Sequence, residues 1–419
     1  MSISPSTDVA LLRPRLRPAS VRRAAGYLLS SGVALTAAFA LSPQAASAAP
    51  LAYAQSTVMS GLLNPRGLVM GPDGALYVAE AGRGGDGPSL PANGGAPESR
   101  YGTTGGISRL LNGVQSRVVS GLPSLAPAGG AEATGPQGLA FGANGGLYAT
   151  IGLGSAPANR SLLAGQPNVG LLGTLAAIDT AAGTATAFAN LADFEAANDP
   201  GGEGADSNPY GVVASGSGFL VTDAGGNSVI SVDMTGAMTA VATLPAAPTP
   251  AGLPGGPFYQ AVPTGAAINA DGALFFGQLT GFPFPVGGAN VFSLDNGDLS
   301  IVAGGLTNII DVAFGADGTL FALELDSDSL LGPGTTGAIH SIGLDGATAL
   351  IYGGIENPTG FAAGRAGEFF VSVYGSSPTD GAVMRLSPVP LPASAAFLVF
   401  AVGLLGWASS RGARRPRLA

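Results

Sequence analysis

The stretch "NPRGLVMGPDGALYVAEAG", residues 64–82, is the first of six copies of one pattern along the chain. Each copy has a short apolar run, a turn centred on glycine and a second apolar or aromatic run, which is the pattern of a tight β-hairpin. The other copies begin at Gly135, Asn208, Val262, Asn308 and Asn357. Hairpins recurring along one chain predict a radial repeat of small sheets.

Each hairpin is followed by further short apolar runs, which predict blades of four strands. In the first copy these runs are "GISRL" (106–110) and "SRVVSGL" (116–122). The sixth copy lacks its fourth run, but a matching run, "STVMSGL" (56–62), precedes the first hairpin. We expect this N-terminal strand to close the last blade and leave no open sheet edge. The sequence therefore predicts an all-β, six-bladed β-propeller over residues 55–388.

Both ends of the chain have the composition of sorting signals. Residues 1–54 combine a basic lead with an apolar run and small-residue cleavage sites at 46–48 and 52–54, as in a secretory signal peptide. Residues 389–419 combine a proline motif, an apolar run and terminal arginines. The apolar run is shorter than the ~20 residues of a typical span, but the arginines can snorkel to the cytoplasmic side. We expect export across the inner membrane and a C-terminal membrane anchor.

Charge and composition exclude several classes of function. Between the two ends, eight arginines stand against 25 carboxylates, a net charge of about −17, which argues against nucleic acid as a partner. The chain has no cysteine, which excludes disulfides and thiolate chemistry. Its single histidine, His340, occupies a strand position that is Ser108 or Ala176 in other copies, so we interpret it as a packing residue.

The connections between strands divide into short turns and long loops, which alternate along the chain. The short turns should therefore share one face of the disc and the long connections the other. Because long loops are often functional, we predict that the long-connection face binds the ligand. Its candidate contact residues are Arg66, Arg83, Gln137, Tyr210, Gln278, Phe282 and Phe284.

Acidic residues recur where the second strands end. Glu80, Asp223 and Glu324 share this position, and Asp311 replaces a glycine that the other copies carry near the start of the inner strand. Together they suggest an oxygen-rich metal site suited to calcium. The alternative is that each carboxylate accepts backbone N–H groups from the next loop.

Two further segments are rich in carboxylates, residues 193–208 and residues 324–329. Neither has the ligand spacing of the EF-hand calcium loop. Solvated loops and calcium-binding loops are both open interpretations of these segments.

The phrases "DSNPYGV", "GQLTGFPFPVGGA" and "LTNIIDVAFGADG" resemble the ScyD/ScyE family, secreted NHL-type propellers, over residues 56–386. The tail resembles the VPLPA variant of the PEP-CTERM sorting signal. That resemblance implies an exosortase-type processing enzyme as a partner and makes Val389, Pro390, Leu391, Pro392 and Ala393 the sorting motif. An ordinary C-terminal anchor is the alternative.

We expect an exported binding or scaffold module at the periplasmic or cell surface or in extracellular matrix. Its partners would be an extracellular polysaccharide, a protein or a small aromatic ligand. The alternative is a propeller enzyme, such as a calcium-dependent enzyme of the lactonase type.

Overall fold

A computed structural model of the chain describes residues 52–91, 98–216 and 218–389. Within these ranges the strands form six antiparallel blades around a central channel, which confirms the predicted six-bladed β-propeller. Each blade begins with its innermost strand at the channel and ends with its outermost strand. The exception is blade 6, whose outermost strand comes from the start of the described chain.

The first strand, β1 (Ala52–Leu62), belongs to blade 6, and blades 1 to 3 follow it in sequence. Blade 1 contains β2 (Pro65–Met70), β3 (Leu76–Glu80), β4 (Ser89–Leu90), β5 (Ser99–Leu111) and β6 (Val114–Ala126). Blade 2 contains β7 (Pro136–Phe141), β8 (Leu147–Ile151), β9 (Thr174–Asp179) and β10 (Thr184–Asn190). The α-helix α1 (Leu191–Asn198) leads to blade 3, which contains β11 (Pro209–Ser215), β12 (Gly218–Asp223), β13 (Ser228–Asp233) and β14 (Met238–Thr243).

A small hairpin of β15 (Ala247–Pro248) and β16 (Phe258–Tyr259) separates blade 3 from blade 4. Blade 4 contains β17 (Pro263–Ile268), β18 (Leu274–Gln278), β19 (Ala289–Asp295) and β20 (Asp298–Leu306). Blade 5 contains β21 (Ile309–Phe314), β22 (Leu320–Glu324), β23 (Thr336–Ile342) and β24 (Thr348–Glu356). Blade 6 contains β25 (Gly360–Ala363), β26 (Phe369–Val373) and β27 (Gly381–Val389).

The ring is closed by β1, as the sequence predicted. This strand pairs antiparallel with β27, with Ala52 opposite Val389 and Leu62 opposite Gly381. Met59 and Leu62 are buried in one apolar cluster with Val383 of β27. The pairing gives blade 6 its fourth strand and joins the two ends of the propeller sequence.

The hairpin turns hold themselves together with local hydrogen bonds. In the first hairpin Asp73 accepts the N–H of Ala75, and Gly74 adopts a φ of +78°, a conformation that glycine adopts without steric cost. Asn269 accepts the N–H of Ala273 in the corresponding turn of blade 4. Short acidic or amide side chains beside a glycine therefore stabilise the turn between the two inner strands in blades 1, 2, 4 and 5.

The core lies between neighbouring blades, where aromatic rings of one blade meet those of the next. Tyr77 of blade 1 packs edge-on against Phe141 of blade 2, with ring centroids 5.4 Å apart. Phe275 of blade 4 packs in the same way against Phe314 of blade 5, at 5.1 Å. Such contacts stabilise aromatic pairs beyond their buried area, and they connect blades that share no hydrogen-bonded strands.

The predicted sorting segments lie largely outside the described residues. Val389 is the last residue of β27, whereas Pro390, Leu391, Pro392 and Ala393 fall outside the described ranges, as do residues 1–51. The second small-residue site, residues 52–54, forms the start of β1. Among the described residues, no helix has both the length and the hydropathy that a membrane span requires.

Candidate binding site in the central channel

A ring of equivalent residues, one from each inner strand, narrows the channel. Asp311 is the member from blade 5, and the other five are glycines: Gly67, Gly138, Gly211, Gly265 and Gly360. A Cβ atom at Gly67 would lie 2.9 Å from the carbonyl oxygen of Gln137 in the next blade. The inner strands approach too closely here for most side chains, which explains why glycine recurs in the repeat.

Asp311 brings the one carboxyl group to this ring. Its Oδ1 accepts the N–H of Val312 at 2.9 Å, and its Oδ2 accepts the N–H of Phe361 in blade 6 at 3.0 Å. The ion pairs found among the described residues do not include Asp311. Burial raises the pKa of Asp311 to about 7, although the two N–H donors oppose this shift. The carboxyl group therefore changes its charge near neutral pH.

Tyr210 crosses the channel beside Asp311. It extends from the inner strand of blade 3, and its hydroxyl donates to the carbonyl oxygen of Thr359 in blade 6, on the opposite side of the ring, at 3.4 Å. Burial raises the pKa of Tyr210 well above its usual value, so the hydroxyl remains a neutral donor. The phenol ring thus forms a bar across one end of the channel.

Arg66 and Gln137 lie at the same level as Tyr210, on the inner strands of blades 1 and 2. The Arg66 guanidinium is buried and donates to the carbonyl oxygens of Ala133 and Gly375. Gln137 donates to Asn208 at 3.3 Å, and its Oε1 has no hydrogen-bond partner among the described residues. The structure therefore brings together Arg66, Gln137 and Tyr210, three predicted ligand-face residues, at the end of the channel that holds Asp311.

The channel encloses a cavity of about 480 Å³, lined by the inner strands of all six blades. The side chains at its long-connection end are buried, with Arg66 8% exposed and Thr264 1% exposed. At the other end Met70 is 41% exposed. The cavity is therefore closed at its long-connection end and opens on the face with the tight turns. The sequence instead predicts ligand binding on the long-connection face.

The acidic strand ends are held inside their own blades. Glu80 accepts the N–H of Leu63 and the hydroxyl of Ser108, and it pairs with Arg117. Glu324 accepts the N–H of Thr307 at 2.8 Å.

The same arrangement holds for the remaining strand ends. Asp223 accepts the hydroxyl of Ser207 at 2.7 Å and the N–H of Asn208 at 2.6 Å. Gln278 accepts the N–H of Asn290 at 3.2 Å. These side chains serve the loops beside them, which is the alternative that the sequence left open.

The predicted calcium ligands do not assemble around Asp311. Glu80, Asp223 and Glu324 are engaged in three different blades, and the ring neighbours of Asp311 are glycines without side chains. Over the described ranges, no group of three or more His, Cys, Asp or Glu side chains could hold a metal ion. One carboxylate that already accepts two N–H groups does not fit calcium, which takes about six to eight oxygen ligands.

The other predicted ligand-face residues lie away from the cavity. Phe282 and Phe284 form an edge-on pair with centroids 6.1 Å apart, and Phe282 is 49% exposed. Arg83 is exposed, and its N–H donates to the hydroxyl of Thr104. His340 does more than pack, because its Nε2 lies 3.2 Å from Glu324 within blade 5.

A buried carboxyl group occupies the acidic segment 193–208, although sequence reasoning offered a solvated loop or a calcium loop there. Glu195 lies on α1 and is 2% exposed, and its Oε1 has no hydrogen-bond partner among the described residues. Burial, reinforced by the negative charges of Asp223, Asp199 and Asp206, raises the pKa of Glu195 to about 8. Glu195 is therefore protonated at neutral pH.

We expect Glu195→Gln to remove a pH-dependent loss of stability. The unfolded chain releases this proton near the usual value of 4.5, whereas the folded protein holds it up to about pH 8. The folded state therefore binds more protons between these values, and its stability falls as the pH rises. The stability of Glu195→Gln relative to wild type should rise by about 1 kcal/mol per pH unit in this window.

Urea unfolding at pH 5, 6, 7 and 8 measures this difference. The exposed Glu356→Gln is the control and should follow the wild-type pH dependence. Parallel stability curves for Glu195→Gln and wild type would contradict a protonated Glu195.

Six blades around a blind cavity place this chain among the β-propellers, and comparison with solved structures agrees. It is similar to a gluconolactonase from Xanthomonas campestris, at 14% identity over 83% of this chain and 93% of that chain, with a TM-score of 0.50. It also overlaps a calcium-binding regucalcin from Agrobacterium tumefaciens, at 14% identity over 81% of this chain and 97% of that chain, with a TM-score of 0.45. At such identities the likeness shows the fold alone. No protein-family model and no curated protein matches the chain.

Proposed function

We propose that this protein binds a small molecule in its central cavity, with Asp311 as the polar anchor. The observation that carries the proposal is the carboxyl group at the closed end of a cavity of about 480 Å³, at a position that is glycine in the other five blades. Small-molecule sites commonly combine a volume of about 300 to 1,000 Å³ with apolar walls and a few polar groups.

The folding of the propeller does not require a carboxyl group at this position. Five blades form their inner strands with glycine, and only blade 5 places a carboxyl group there. Removing a carboxylate from water is costly unless partners compensate it, and Asp311 has only two N–H donors. Perturbed titratable groups inside a cavity are typical of functional sites.

Hydrolysis of the lactone type is the second candidate function, and the pKa of Asp311 favours it. A carboxyl group with a pKa of about 7 suits general acid–base catalysis at neutral pH. Asp311 would take the proton of the attacking water as the water oxygen bonds to the lactone carbonyl carbon. It would then return that proton to the ring oxygen as the ester bond breaks.

We further infer that the propeller acts outside the inner membrane. Support for this inference comes from the signal-like residues 1–54 and the sorting-like residues 389–419. In this setting an exosortase-type enzyme would process the tail, and the propeller would meet extracellular polysaccharide, protein or small aromatic ligands.

Thermal unfolding with a panel of small apolar and polar fragments tests the binding proposal. We expect some fragments to raise the melting temperature of the purified protein saturably. Asp311→Leu, which replaces the carboxyl group with an apolar side chain, should abolish the shift for polar fragments. Asp271→Leu changes an exposed turn residue in the same way and should keep the wild-type response. A panel without any saturable shift would count against a ligand in this cavity.

The same preparations separate the second candidate. Lactone hydrolysis should show a rate profile that bends near pH 7 and a kcat/KM that falls by about 10² to 10⁴ in Asp311→Asn. Turnover that is equal in wild type and Asp311→Asn would exclude Asp311 as the catalytic base.

A further inference from the structure

We infer that the cavity selects a positively charged ligand, a small organic amine with an apolar body; this inference rests on the proposed binding function. The first observation is that the cavity holds one acidic side chain and, within the described ranges, no basic one among its lining residues. A ligand cation would therefore supply the partner that the protein does not provide for Asp311.

None of the eight arginines between the terminal segments lines the cavity, and four of them have partners elsewhere. Arg117 pairs with Glu80, Arg160 with Asp193 and Arg385 with Glu368. Arg66 is not among the lining residues of the cavity, and it donates to backbone carbonyl oxygens. With a net charge of about −17 between the terminal segments, the field of the protein favours cations over anions in this cavity.

The walls of the cavity suit an amine with an apolar body. Four aromatic residues are among the lining, and the ring of Tyr210 lies beside Asp311, whereas the rings of Phe141, Phe314 and Phe361 pack against Tyr77, Phe275 and Phe369. Aromatic faces attract cations, and the attraction grows when the cation is removed from water. The remaining lining is mostly aliphatic, including Val213, Ala266 and Val312. An ammonium group would contact Asp311 at the closed end, and the apolar body would point toward the opening.

Binding of such a ligand should depend on pH through Asp311. An amine with a pKa above 9 keeps its charge from pH 6 to pH 8, while the pKa of Asp311, about 7, lies within this range. The neighbouring groups do not change charge here: burial raises the pKa of Tyr210 far above this range, and Arg66 stays protonated. The affinity for the amine should therefore fall about tenfold from pH 8 to pH 6.

Three probes of nearly equal size test the inference: benzylamine, benzyl alcohol and benzoate. At pH 8 calorimetric titration of the purified protein should show benzylamine binding at least about tenfold more tightly than benzyl alcohol, with benzoate weakest. Asp311→Asn should reduce benzylamine to the affinity of benzyl alcohol. Asp271→Asn, a loss of one exposed carboxylate at a tight turn, should leave the order unchanged.

The outcomes separate this inference from the proposed function. Equal affinities for amine and alcohol, or tightest binding of benzoate, would overturn selection for a cation while leaving the cavity as a binding site. If none of the three probes binds, the proposed function itself fails for ligands of this size. The wild-type pH dependence needs no variant, and an amine affinity that is constant from pH 6 to pH 8 would overturn the role of Asp311.

Discussion

Gly211→Ala is expected to destabilise the propeller by about 3 kcal/mol. The new Cβ atom would lie 2.6 Å from the carbonyl oxygen of Thr264 and 2.8 Å from the hydroxyl of Thr222. That hydroxyl donates to that carbonyl oxygen and also accepts the N–H of Gly211, so it joins blades 3 and 4. The methyl group can fit only if the two inner strands separate and this bridge is lost.

Gly170→Ala is the matched control for this substitution. No heavy atom lies within 4 Å of a Cβ atom built at Gly170, and its φ lies outside the left-handed region. We expect a change within about 0.5 kcal/mol, because surface substitutions without such contacts are usually small. Urea unfolding of both variants measures the difference. Equal stabilities would show that the inner strands tolerate wider spacing than the structure indicates.

Asp223→Ala is expected to cost about 4 kcal/mol, the largest single effect among these variants. The buried carboxylate accepts the hydroxyl of Ser207 and the backbone N–H groups of Asn208, Gly225 and Gly226. Alanine would remove the acceptor of all four donors, of which the hydroxyl of Ser207 and the N–H of Gly226 are buried, and each buried unsatisfied group costs about 1 to 3 kcal/mol.

Two further variants separate burial from hydrogen-bond number. Asp233 also accepts hydrogen bonds within a turn, including those of Thr235 and Ala237, but it is exposed. Because water can replace it, Asp233→Ala should cost much less than Asp223→Ala. Asp223→Asn keeps one acceptor oxygen and should fall between the two alanine variants. Chemical denaturation ranks the three, and an equal cost for Asp223→Ala and Asp233→Ala would contradict the importance of burial.

Much of the fold followed from local pattern. Apolar runs separated by glycine turns specified the hairpins, and the missing fourth run after Leu386 specified closure by the N-terminal strand. Both predictions are confirmed. They could be made from sequence because strand alternation and turn chemistry depend on only a few neighbouring residues.

The site was harder to predict. The sequence predicts Arg66, Gln137 and Tyr210 as contacts of a ligand, but it predicts Asp311 separately, as a metal ligand. The four residues lie close together because each stands near the start of an inner strand, and these starts meet at one end of the channel. Alignment of the six repeats shows this shared position. Glu195 was missed as a buried residue because segment 193–208 looks polar throughout, although Leu191 and Ala192 at its edge are fully buried.

The sequence repeats were sufficient to predict the number of blades, the order of their strands and the closure of the ring. Nearly all of each blade is formed by contiguous residues, so its pattern can be read locally. The partners of the acidic strand ends and the blind shape of the cavity depended on the folded ring. Tyr210 meets Thr359 only because blades 3 and 6 face each other across the channel, 149 residues apart in sequence. Contacts of this kind are set by the packing of whole blades, and local pattern carries no signal for them.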